Sequence, residues 1–176
     1  MRHRVLLLLA LFGFALVSKG QESNFKPGAL TVAVVASDEQ QSLHFYKDIL
    51  GLHEVGSFTV DAPFATRLGL SQGLPFKVTR LAFDTIPGSS QLKIASFDLP
   101  KAEIDSVKAG IQQQLGLQYL TLQVYTLDGI MEAIKKEGVQ PEADTPIKLG
   151  EHNYLLLLRD PDGVFIEVIG DYSNGN

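Results

Sequence analysis

A chain of 176 residues without a single cysteine has no disulfides, no thiol nucleophile and no cysteine on which to carry a lipid. Its 20 acidic against 15 basic side chains give a net charge of −5, a balance that repels phosphate backbones and anionic lipid, so nucleic acid is not an expected partner. A hydrophobic content of 45% beside 20% charged residues is that of a globular chain able to bury a core.

The N-terminus carries Arg2 and Arg4, then an unbroken apolar run over residues 5–17, then Ser18-Lys19-Gly20. This is the layout of a signal peptide over residues 1–20, with cleavage expected after Gly20. The apolar run is about 13 residues, short of the roughly 20 that span a hydrocarbon core, so no stable membrane anchor is expected. The mature chain is expected to start near Gln21 and to be exported, either periplasmic or secreted. Losing Arg2, Arg4 and Lys19 lowers its basic count from 15 to 12 against the same 20 acidic residues.

Residues 21–176 read as one domain in which the same order of elements occurs twice. The first module, about 29–98, opens with a strand over 30–36, an N-cap at Ser37-Asp38 and a helix over 39–50 closed by Gly51. Strands follow over 52–60, 78–86 and 91–97, the last two separated by a turn at Pro87-Gly88-Ser89. An insertion over 62–75 is expected to carry a short helix around 64–70. Residues 99–117 form a polar connecting loop with room for one helical turn. The second module, about 118–170, has a strand over 119–125, a helix over 127–137 closed by Gly138, and a short strand near Val139. A strand over 154–159, a turn at Asp160-Pro161-Asp162-Gly163 and a strand over 164–169 complete it. Each half therefore reads strand, helix, strand, strand, strand.

The segment Ser42-Leu43-His44-Phe45-Tyr46-Lys47-Asp48-Ile49-Leu50-Gly51-Leu52 resembles the first-helix signature of the vicinal oxygen chelate superfamily, which includes glyoxalases, bleomycin resistance proteins and extradiol dioxygenases. The hairpin Arg159-Asp160-Pro161-Asp162-Gly163-Val164-Phe165-Ile166-Glu167-Val168 resembles the closing motif of the same superfamily. The resemblance covers residues 30–170. It implies an α+β fold of two βαβββ modules, related by a pseudo-twofold axis, whose sheets curl into an open, cup-shaped barrel with the helices outside. It also implies a divalent metal in the cup, held by the first and last strands of each module and chelating two adjacent substrate oxygens. Counted from Asp38 and the Asp-Pro-Asp-Gly turn, the four ligand positions are Thr31, Lys93, Tyr119 and Glu167. Of these only Glu167 matches the family.

Period-two alternation decides which residues face the cup. The expected pocket set is Thr31, Lys93, Phe97, Tyr119, Thr121, Gln123, Phe165 and Glu167. Thr31 is a poor ligand, Tyr119 would have to ionise, and the charge of Lys93 opposes a cation, so neither a metal nor another cofactor is expected. Lys93 is expected to pair with Glu167, with Tyr119 adding a hydroxyl, because a buried carboxylate needs a partner. On that reading Glu167→Gln destabilises more than Glu142→Gln. The alternative is a Lys93 that leans into solvent and a Glu167 bonded to backbone. His44, His53 and His152 read as solvated histidines.

Three functions fit these residues, and none assigns a catalytic residue. The first is a metal-free module that binds a small, partly apolar, oxygen-bearing molecule. The second is a metal-dependent lyase, isomerase or dioxygenase, with divalent-metal ligands elsewhere in the chain or on a second subunit. The third is a structural or accessory envelope protein whose cup is filled by Phe97, Tyr119 and Phe165. Relatives often dimerise, so a homodimer is compatible with all three.

Overall fold

Alternation in the sequence Thr-Val-Ala-Val-Val-Ala puts Val32, Val34 and Ala36 on one face of β1 (Thr31–Ala36) and Thr31, Ala33 and Val35 on the other. In the computed structural model, which describes residues 25–26, 30–98, 110–113 and 115–173, the first of these faces is packed and the second is open. The expected signal peptide and most of the connecting loop lie outside the described residues.

Asp38 ends β1 and caps α1 (Glu39–Leu43), its carboxylate accepting the backbone N–H of Gln40 at 3.0 Å and of Gln41 at 3.1 Å. The helix expected over 39–50 is present, but its second half, His44–Ile49, is wound as a π-helix, and the Leu50 N–H reaches the Phe45 carbonyl at 3.0 Å. Next come β2 (His53–Val60), α2 (Ala62–Leu68), β3 (Phe76–Ala82) and β4 (Gln91–Ser96). The short insertion helix starts at 62 rather than 64 because Asp61 caps it and a proline sits in its first turn. β3 stops at Ala82, short of the expected 86, because the Asp84 carboxylate accepts the Ile86 N–H at 2.6 Å and folds the chain into a turn.

After a 3₁₀ turn at Ile111–Gln113 the second module contains β5 (Tyr119–Thr126), α3 (Asp128–Glu137), β6 (Ile147–Lys148), β7 (Asn153–Arg159) and β8 (Phe165–Asp171). The strand expected near Val139 is not formed. Its N–H instead closes the C-terminus of α3 on the Ile134 carbonyl at 2.9 Å, with Gly138 in the left-handed region, and the strand of that position in the module is β6.

The two sheets have the orders β1-β4-β3-β2 and β5-β8-β7-β6, with β1 parallel to β4 and β5 parallel to β8. Identical topology in the two halves makes this the expected α+β pair of βαβββ modules. The sheets are not hydrogen-bonded to each other, so the cup is open along β1 and β5.

On the helix side of both sheets lies one apolar core. Tyr46 and Ile49 from the first helix and Ile130 and Ile134 from α3 pack with Ile94, Leu156, Leu158, Ile166 and Val168 from the strands. Each such side chain contributes about 1.5–3 kcal/mol on burial, and sharing the core ties the modules together. A smaller cluster occupies the other face of the first sheet, where Ala65 of α2 packs on Val60, Phe76, Val78, Ala95 and Phe97. The insertion therefore covers one end of the concave face. Among the described residues no helix is long and apolar enough to cross a membrane.

Candidate functional site

Because β1 and β5 each pair on one side only, their free edges border an open crevice of about 830 Å³ between the modules. Thr31 and Ala33 of β1, Gln91 of β4 and Tyr119, Thr121 and Gln123 of β5 contribute to its walls, with Leu50, Leu52, Leu92 and Ile130 among the apolar residues behind them. None of its lining residues is charged. Apolar walls with a few hydroxyl and amide groups are the composition of a small-molecule pocket.

Of the eight side chains that alternation placed in the cup, Thr31, Tyr119, Thr121 and Gln123 line this crevice, and Glu167 reaches it by accepting a 2.6 Å hydrogen bond from the Thr121 hydroxyl. Phe97 lies elsewhere, stacked on Phe76 with ring centroids 5.1 Å apart beneath α2. Phe165 is half-buried under the Arg159 guanidinium, whose Cζ lies 3.7 Å from the ring centroid.

The expected Lys93–Glu167 ion pair does not form. Lys93 sits on β4 between Ala33 and Arg80, and Glu167 sits on β8 between Thr121 and Leu157. Alternation gave both residues the correct face, but Glu167 takes its hydrogen bond from Thr121, its neighbour on β5. His44, His53 and His152 are on the surface: His44 bonds Asp48 at 2.8 Å, and His152 lies 3.8 Å from Glu151.

At the four positions that the fold would use for a divalent ion, the side chains are a hydroxyl, an ammonium, a phenol and one carboxylate. That donor set does not fit such an ion, because Lys93 places a positive charge where a ligand should be and Glu167 is the one carboxylate among the four. Among the described residues no group of three His, Asp or Glu side chains converges elsewhere.

The closing motif has a structural use. The Asp160 carboxylate is 4% exposed and accepts the N–H of Val164 at 2.8 Å, that of Asp162 at 3.0 Å and the Tyr46 hydroxyl at 2.8 Å. Burial holds its carboxyl above the ordinary range, outweighing these hydrogen bonds, and burial with the Asp160 charge pushes the Tyr46 phenol well above its own. Asp162 accepts the Ser37 N–H at 3.1 Å and the Ser42 hydroxyl at 3.3 Å. The Asp-Pro-Asp-Gly turn of the second module thus holds the start of the first helix.

Two cations on the concave faces were not singled out in the sequence. Arg159 lies 3.1 Å from Glu142, and Arg80 is the cross-strand neighbour of Lys93. Alternation from Val78 along β3 carries the signal for Arg80.

Paired βαβββ modules around an open cup, with helices outside and a crevice between edge strands, define the class of protein. A family model for the Glyoxalase/Bleomycin resistance protein/Dioxygenase superfamily matches residues 28–168, and the chain belongs to that superfamily. Among solved structures, a glyoxalase family protein from Bacillus cereus is 17% identical with a TM-score of 0.67, over 88% of this chain and 99% of that one. A glyoxylase/bleomycin resistance protein/dioxygenase domain from Frankia sp. is 18% identical with a TM-score of 0.55, over 83% and 92%. The trypanothione-dependent glyoxalase I of Leishmania major is 16% identical with a TM-score of 0.55, over 80% and 84%. At these identities the likeness is one of fold. No curated protein matches the sequence.

Proposed function

We propose that this protein is an exported member of its superfamily that has lost the metal site and holds a small, partly apolar, oxygen-bearing molecule between its modules. The observation that carries this reading is the crevice of about 830 Å³, apolar with uncharged hydroxyl and amide groups on its walls. The loss of the metal is supported by the donor set of Thr31, Lys93, Tyr119 and Glu167, which offers one carboxylate and opposes a cation with an ammonium. Export, as a single mature domain over residues 21–176, is supported by the basic, apolar and small-residue order of residues 1–20. Mass spectrometry of the protein from its host should then find a chain beginning near Gln21, and intact Met1 would argue against it.

The test of the pocket is titration with N-phenyl-1-naphthylamine, an uncharged fluorescent apolar compound. The wild type should bind it saturably, one molecule per chain, and Gln123→Trp, which fills the crevice from β5, should weaken binding by roughly tenfold or more. No saturable binding to the wild type, or equal binding to both proteins, would remove the basis for this function.

A further inference from the structure

On the concave face of the first sheet four residues stand side by side across the strands: Gly56, Arg80, Lys93 and Ala33. The two central members are both cations and both half-buried. Like charges directly opposite each other on a sheet repel, and a carboxylate between them would be the ordinary remedy. Among the described residues neither has one. The ion pairs found there use other side chains, and Arg80 Nε is buried with no hydrogen-bond partner. A buried donor left unpaired costs free energy, so among the described residues this pair of cations is left uncompensated.

Small residues flank the pair. Its neighbours in the row are the smallest residues available, and the Arg80 guanidinium leans away from Lys93 over Gly56, where an added Cβ would lie 3.1 Å from Nη2. Gly56 sits at a register shift in β2 with φ +137°, a conformation that L side chains rarely adopt, and the place a side chain would take there is filled by the guanidinium. On the other side, Lys93 is one strand, about 4.8 Å, from β1, where Ala33 is a wall of the crevice, and Gln91, two residues before Lys93, is another.

We propose that Arg80 and Lys93 form an oxyanion subsite that takes the carboxylate, phosphate or sulfate head of an amphipathic ligand whose apolar body lies in the crevice. The guanidinium offers paired N–H donors to two oxygens and the ammonium neutralises the remaining charge. The part of this inference that concerns the apolar body rests on the crevice being a ligand pocket. The part that concerns the anion does not.

Calorimetric titrations at constant ionic strength separate the two, using sodium octanoate, neutral 1-octanol and inorganic phosphate on the wild type, Arg80→Gln and Lys93→Gln. Octanoate should bind the wild type roughly tenfold more tightly than octanol. That advantage should vanish in each variant while octanol and N-phenyl-1-naphthylamine bind as before. Both variants should melt no lower than the wild type, since each removes one of two like charges on neighbouring strands. If the crevice reading alone is wrong, octanol and the dye will not bind, yet phosphate will bind the wild type and not the variants. If octanoate and octanol bind equally, or if the variants bind octanoate or phosphate as the wild type does, the oxyanion subsite is refuted.

Discussion

The hydroxyl of Tyr46 in the first module donates a 2.8 Å hydrogen bond to Asp160 Oδ2 in the second, and both side chains are buried. Together with the Asp162 bonds to Ser37 and Ser42, it makes the closing turn a clasp on the first helix. Tyr46→Phe keeps the ring and leaves the carboxylate without its side-chain donor. Urea denaturation should report a loss of about 1–3 kcal/mol.

The same carboxyl makes stability depend on pH. Burial holds Asp160 above its ordinary value of 3.8, so between that value and its native one the folded chain binds more protons than the unfolded chain. This group's contribution to stability therefore falls as pH rises through that window. Asp160→Asn cannot titrate, and its stability should fall less steeply than that of the wild type as pH rises from 3.8. Parallel pH profiles for the two proteins would show that burial of this charge is not felt.

Glu39 carries the opposite sign. Its partial burial raises the pKa, but hydrogen bonds from Lys77 at 3.1 Å and Thr79 at 2.8 Å, the Lys77 charge and a bond from Ser96 outweigh it and hold the carboxyl below 4.5. The stabilisation is present above pH 4.5 and is lost as pH falls through the native value. Glu39→Gln should cost about 1 kcal/mol at neutral pH, with the difference shrinking toward pH 3 in the same denaturation assay.

Glutamate substitutions on the second sheet should follow the observed partners. Glu142 lies 3.1 Å from Arg159, with both side chains about three-quarters buried at 27% and 23% exposed. Glu167 is held by a hydroxyl, from which a glutamine oxygen can still accept, so the substitution weakens one hydrogen bond and leaves no group unpaired. Glu142→Gln should cost about 1 kcal/mol and Glu167→Gln less than about 0.5 kcal/mol. This is the reverse of the order that a Lys93–Glu167 pair would produce, and thermal melts of the two variants decide between them.

What was legible in the sequence was local. Asp38 announced a cap, Gly51 and Gly138 announced helix ends, and alternation assigned the faces of β1, β4, β5 and β8. The two-residue strand β6 is too short to show a period, and Val139, apolar and next to Gly138, drew the expectation that belonged to Ile147 and Lys148. Lys93 and Glu167 failed as a pair for a different reason: alternation specifies a face but not a neighbour. Neighbours are set by strand order, which places Arg80 beside Lys93 and Thr121 beside Glu167. The crevice itself depends on two edges left unpaired, which no single strand records.

The central claim is that the ligand is held by the crevice without a metal, and dye binding under metal control tests it most directly. N-phenyl-1-naphthylamine should bind one per chain with the same affinity in the presence of a chelator and in the presence of added zinc or manganese. Binding that is abolished by the chelator and restored by one divalent ion per chain would contradict the account.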